Sequence, residues 1–209
     1  MVFVGLNTLV FRVANVLLQA TVNSFGSQFV AANSIADSVA DYASTAYSCV
    51  PPACITAVAQ CHGAGKRDRI DKIMNRSLWC CHIAVTACSV VVLIFARPLL
   101  GLFTKTPAVV ELAIPKVIYY CVGYFIHTFG QIYVAGIKGL KKSSLAFLLN
   151  LFSVCIPRLL WIWFVVPLSP TPNTLYLIYP ISWLFSAVCL GLGYSYCRKQ
   201  LAPQPATAT

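Results

Sequence analysis

The twenty residues SLWCCHIAVTACSVVVLIFA, from Ser77 to Ala96, contain no Asp, Glu, Lys or Arg. At about 1.5 Å per residue, a helix of that length matches the roughly 30 Å hydrocarbon layer of a bilayer. Similar stretches lie near 4–25, 29–60, 111–137, 143–167 and 174–197. Lipid offers backbone N–H and C=O groups no water, so each stretch is expected as a helix that satisfies its own hydrogen bonds. The pattern predicts an all-α fold, an integral membrane six-helix bundle over residues 1–197. The remainder, 198–209, ends in APQPATAT, which is too poor in apolar residues to pack and is expected as a disordered cytoplasmic tail.

Composition excludes the soluble alternatives. Hydrophobic residues make up 59% of the 209 and charged residues 10%, against roughly 45–50% and 25% in an ordinary soluble domain. The net charge of +10 sits in short clusters between apolar runs, which sets nucleic acid aside as a partner. The first segment is not read as a cleaved signal, because it lacks a basic start and carries Arg12 in its middle. Lys66, Arg67, Arg69, Lys72, Arg76, Lys138, Lys141, Lys142, Arg198 and Lys199 fall on one side of the resulting topology, and chiefly Arg97 and Lys105 on the other. The positive-inside rule then places both termini in the cytoplasm of a multi-pass protein of the plasma membrane.

Cys49, Cys54, Cys88, Cys121, Cys155 and Cys189 lie inside apolar stretches and are read as unpaired small hydrophobes. Cys61, His62, Cys80, Cys81 and His82 lack the spacing of a tetrahedral metal site, so no metal is assigned. Gly63, Ala64, Gly65 and Lys66 lack the first glycine and the hydroxyl residue of a phosphate loop. No enzyme chemistry is assigned.

Polar residues within the segments recur at helical spacing. Arg12, Asn15, Gln19 and Asn23 form one stripe, read either as interhelical hydrogen bonding or as the wall of a solvated cavity. Asn33, Asp37 and Asp41 form a second, continued by Ser44 and Ser48. Its two carboxylates either favour the positive end of a helix dipole or, if buried, bind a cation or exchange a proton, which makes them the coupling-ion candidates. Pro51 and Pro52 lack N–H donors and are expected to kink this long segment near Tyr47 and Ser48, as static packing or as a hinge. Tyr120, Tyr124, His127 and Gln131 form a third stripe, whose rings suit organic cations but also suit an interfacial belt. The cations read as lying within spans are Arg12 and Arg158.

The run QCHGAGKRDRI after the second segment resembles the QNxGAxxxxRI signature of MATE multidrug and toxin extrusion transporters. NVLLQATVNSFGS, GIKGLKKS, PRLLWIWFVVP and LIYPISWLF are similar to the carboxyl-terminal lobe of bacterial members. The resemblance covers nearly the whole chain and implies one lobe of a two-lobed secondary antiporter. Such an antiporter holds amphipathic organic cations between its lobes and exports them against inward H⁺ or Na⁺, with no cofactor beyond that ion. It implies a partner, either an amino-terminal lobe or a second copy in a homodimer. Gln60, Gly63, Ala64, Gly65 and Arg69 match the loop motif, for which the resemblance implies a helix-end and gating role. The sodium-coupled pattern has acidic residues on the first and fourth helices of this lobe, where the present sequence has Asn15, Gln19 and Asn23, then Tyr124 and His127. Two other readings stay open: a non-transporting remnant, and a flippase for lipid-linked precursors, whose pyrophosphate would demand a strongly cationic cavity.

Overall fold

The computed structural model describes residues 25–168 and 171–200, together with Val16, Gln19, Val22 and Asn23. The described residues fold as α1 (Ser27–Thr45), α2 (Val50–Gly63), α3 (Arg67–Ile94), α4 (Ala96–Phe103), α5 (Pro107–Gly139), α6 (Ser143–Leu160) and α7 (Pro172–Lys199). A π-helical turn, Trp161–Val165, continues α6 beyond Pro157, whose missing N–H interrupts the regular ladder. Helices α3, α5, α7, and α6 with its π turn, are each long and apolar enough to cross a membrane. Trp79, Ile94, Trp163 and Leu192 are largely exposed on them, a pattern that suits contact with acyl chains and would promote aggregation in water. The chain is an all-α membrane bundle.

Three boundaries differ from the sequence reading. The segment expected as one helix over 29–60 is two helices, joined by a turn of i→i−3 bonds: Tyr47 N to Ser44 O, Ser48 N to Thr45 O and Val50 N to Tyr47 O. Pro51 and Pro52 follow in the first turn of α2, where their missing N–H groups cost nothing. Ser44 and Thr45 both donate their hydroxyls to the carbonyl of Asp41, at 2.9 and 2.8 Å, which supplies partners just before the break. The connection read as a loop over 63–76 is mostly helix, because α3 begins at Arg67 and its charged first turns simply project beyond the apolar stretch. The connection over 97–110 contains α4. Helix α7 runs through Lys199, and residues 201–209 of the expected tail lie outside the described residues.

Helix α5 is the axis of the bundle and packs against α1, α2, α3, α4, α6 and α7. Pairings along it give directions. Asn33 to Lys116, Tyr47 to His127 and Val58 to Gly139 advance together, so α1 and α2 run parallel to α5. Trp183 at Gly123 and Tyr194 at Gly136 place α7 parallel too. His82 at Thr128 and Met74 at Gly136 run in opposite order, so α3 returns antiparallel. Close approach needs missing side chains: a Cβ on Gly139 would lie 2.7 Å from Val58 Cβ and 3.1 Å from the Ile55 carbonyl. In lipid, where apolar burial no longer drives helices together, such small-residue contacts hold the bundle.

Both turns at the basic end are built the same way. After α2, Lys66 N donates to Cys61 O at 2.9 Å and Gly65 N to His62 O at 3.2 Å, a Schellman motif with Gly65 at φ +69°. After α5, Lys142 N donates to Ile137 O and Lys141 N to Lys138 O, with Lys141 itself at φ +62°. Across this end Arg198 holds Asp71 through two bonds of 2.9 and 2.6 Å, tying α7 to the start of α3.

Two outcomes follow from this geometry. Gly139→Ala gains up to about 1 kcal/mol of helix propensity but drives a methyl into a branched Cβ that has no freedom to move, an overpacking cost of about 1–3 kcal/mol. A lower melting temperature in detergent is expected, partly restored by adding Val58→Gly, which removes the clashing Cβ. Gly65→Ala places a Cβ in the left-handed region and should cost about 1 kcal/mol, whereas Lys141→Gly should raise stability; equal and opposite shifts in thermal melts would check the shared motif.

Candidate functional site

Between α1, the α1–α2 turn, α2 and α5 lies a cavity of about 510 Å³. Asp41 and Ser44 of α1, Tyr47 and Ser48 of the turn, and Pro51 and Pro52 of α2 form one side. Tyr124, His127, Gln131 and, at the basic end, Lys138 of α5 form the other. Helical periodicity explains the second wall, since 124, 127, 131 and 138 lie on one face of α5. The first wall depends on the break: without the prolines α1 would continue straight, and the turn residues would not face α5.

A hydrogen-bonded imidazole sits at the centre. Tyr47 Oη lies 2.8 Å from His127 Nδ1, and Gln131 Nε2 lies 3.0 Å from His127 Nε2. With Gln131 donating to Nε2, Nδ1–H donates to the tyrosine oxygen, so a neutral ring is fully satisfied. Aromatic rings back it: Trp183 of α7 lies 5.0 Å from His127 and 5.4 Å from Tyr124, while Tyr47 lies 6.3 Å from Tyr124, centroid to centroid. Trp183 reaches this position because α5 has Gly123 there; a Cβ would fall 2.5 Å from the indole.

Asp37 and Asp41, one turn apart, have different surroundings. Asp37 Oδ1 lies 2.5 Å from the ammonium of Lys116, a residue of α5 that is 1% exposed. Asn33 Oδ1 and its carbonyl accept from the same ammonium at 2.7 and 3.2 Å. The reading that the spans hold only Arg12 and Arg158 as cations is corrected: Lys116 is a third, fully buried one. The signal for it was present, because 116 extends the 120, 124, 127, 131 stripe by one more turn of α5. Tyr120 belongs to this upper level, with Lys116 Nζ 5.1 Å from its ring centroid. It stacks on Tyr124 below at 5.7 Å and links the ammonium to the cavity wall. Arg158 places its guanidinium carbon 5.1 Å from the Tyr179 centroid.

Of the first-segment stripe, the described residues Gln19 and Asn23 are not among those lining this cavity. Gln19 and Asn23 are exposed and bonded to each other at 3.2 Å, and Asn15 and Arg12 lie outside the described residues. Gln60, Gly63, Ala64, Gly65 and Arg69 are at the basic end, where Gln60 gives its carbonyl to Ala64 N, Gly65 forms the left-handed cap and Arg69 lies exposed on the first turn of α3. Their contribution is to the α2–α3 turn, away from the cavity.

A comparison with curated proteins returns no match. The model of the MatE family matches residues 4–163, a span that includes the α2–α3 turn, both walls of the cavity and Lys116. Matched over most of its length, and built as an apolar helical bundle, the chain belongs to the MatE family of membrane transporters.

Proposed function

We propose that the chain is one lobe of a secondary antiporter that exports amphipathic organic cations across the plasma membrane by alternating access, exchanging them for H⁺ or Na⁺. The observation that carries this reading is the cavity in which Asp41 faces Tyr47, Tyr124 and His127. A carboxylate supplies charge, and aromatic faces attract cations by about 0.5–2 kcal/mol each without demanding one ligand shape. Breadth of cargo is what such a wall favours.

The α1–α2 turn supplies the moving part. Tyr47 and Pro51 border the cavity and lie in or beside the interruption of the helix, so bending there changes the cavity wall directly. A cargo exported against its gradient must be reached from each side in turn, which requires rocking against a second lobe, either a separate amino-terminal half or another copy of this chain. The basic end, with Lys138, Lys141 and Lys142 at one turn and Lys66 at the other, is assigned to the cytoplasm, and both termini with it. The flippase reading is weaker: Lys116 is neutralised by Asp37, which leaves Lys138 as the one cation among the residues lining this cavity.

Cells expressing the protein should accumulate less of a cationic dye, and collapsing the ion gradient should remove the difference; equal accumulation would favour the non-transporting remnant. Asp41→Asn should lower efflux by about tenfold, equivalent to about 1.4 kcal/mol of lost cation stabilisation, while leaving the melting temperature within about 1 °C because the side chain is exposed to the cavity. Crosslinking in detergent should trap a dimer if the second lobe is another copy, and a strictly monomeric particle would point to a separate half.

A further inference from the structure

The surroundings of Lys116 amount to more than one ion pair. An ammonium on a straight alkyl chain carries three N–H donors, and three oxygens face this one: Asp37 Oδ1 at 2.5 Å, Asn33 Oδ1 at 2.7 Å and the Asn33 carbonyl at 3.2 Å. The rings of Tyr120 and Tyr179 stand 5.1 and 6.0 Å from the nitrogen. Together these groups satisfy every donor of a primary ammonium and wall it with π faces. The two sides of the pair also differ in access. Lys116 is 1% exposed and Asn33 is buried, whereas the Asp37 side chain is 45% exposed, so the site can be approached through the Asp37 carboxylate while the lysine enters from the protein interior.

We propose that Asn33, Asp37, Tyr120 and Tyr179 form a binding site for a primary alkylammonium, and that the protein's own Lys116 keeps it filled as a tethered ligand. A free primary amine competes with Lys116 for the same three oxygens. Secondary and tertiary ammonium ions bring fewer donors and a quaternary ion brings none, which leaves buried or half-buried acceptors unpaired; discrimination by donor number is therefore built in. The site concerns binding within this lobe and stands whether or not the chain exports anything.

The test vacates the site. Lys116→Ala vacates the space from Cγ to Nζ, and n-propylammonium can enter it with its nitrogen near the Nζ position and its alkyl chain displaced from Cβ to van der Waals contact. Thermal melts of the purified protein in detergent should show saturable stabilisation of Lys116→Ala by n-propylammonium chloride, with tetramethylammonium chloride weaker by about tenfold or more. The wild type and the Lys116→Ala, Asp37→Asn double variant should be unmoved by either salt. Equal responses to the two salts, or a wild-type response as large as that of the variant, would overturn the proposal. Should Lys116→Ala aggregate on extraction, extraction in n-propylammonium should restore a monodisperse peak and extraction in tetramethylammonium should not; recovery in both or in neither counts against the site.

Discussion

An ammonium group buried on a membrane helix must be compensated where it lies, because an unpaired lysine in the hydrocarbon layer is costly, by about 2.5–3.5 kcal/mol at the centre and less toward the interfaces. Lys116 meets that cost with Asp37 and Asn33, both from α1. The pairing fixes which face of α1 meets α5, and at what height. With the upper contact set, α1 descends parallel to α5, Asp41 falls one turn below the pair, and the chain reaches the Pro51–Pro52 break opposite His127. The cavity is thus the space beneath an ion pair, between two helices held in register. Breaking the pair from one side leaves a buried charge without a partner, a heavier penalty than losing the pair as a whole.

The same register links the helix break to the site. Tyr47 belongs to the stretch of i→i−3 bonds that replaces regular helix, and its hydroxyl meets the imidazole of His127. A change in bend at this stretch shifts Tyr47 against His127, and with it the water-facing edge of the cavity. On the opposite side the wall is closely packed: Gly123 lets the Trp183 indole lie against α5, and Trp183 in turn packs against the rings of Tyr120, Tyr124 and His127. A broken helix on one side and a packed ring cluster on the other would suit the alternating access proposed above, with any bending confined to the break.

Much of this arrangement was legible in spacing. The intervals among Tyr124, His127 and Gln131 placed them on one face, and the double proline marked the break. Periodicity assigns a face and spacing but not where along that face a cavity begins, so it could not separate Tyr120, which belongs to the Lys116 level, from the cavity residues below it. It also assigns no neighbour: Asp37 and Asp41 are equivalent in sequence pattern, and only α5 makes one a counter-ion and the other a cavity carboxylate. Lys116 escaped because a single cation in an apolar run is easily counted with the loops, although it continues the stripe. The extent of α3 escaped for a related reason: charged residues at 66–76 read as a connection, yet a helix emerging from lipid keeps its hydrogen bonds while its side chains become polar.

The charge inventory of the interior then bears on cargo. Coulomb attraction inside a bundle is much stronger than in water, so the unpaired charges decide what enters. Lys116 and Asp37 cancel, and the Arg158 guanidinium lies against the Tyr179 ring. What remains on the cavity wall is Asp41 at one end and Lys138 at the basic end, with tyrosine, histidine and glutamine between them. A cation is drawn toward Asp41 and away from Lys138, whereas an anion of pyrophosphate type would have to remain near the mouth. Where the resemblance-based pattern puts acids on the first and fourth helices of the lobe, this chain has its cavity carboxylate, Asp41, on α1, while α5 carries Lys116 in its interior and Glu111 near its start, paired with Arg97. An ion-coupled exchange of the kind proposed above would draw on Asp41 as its cavity carboxylate, with Asp37 already held by Lys116.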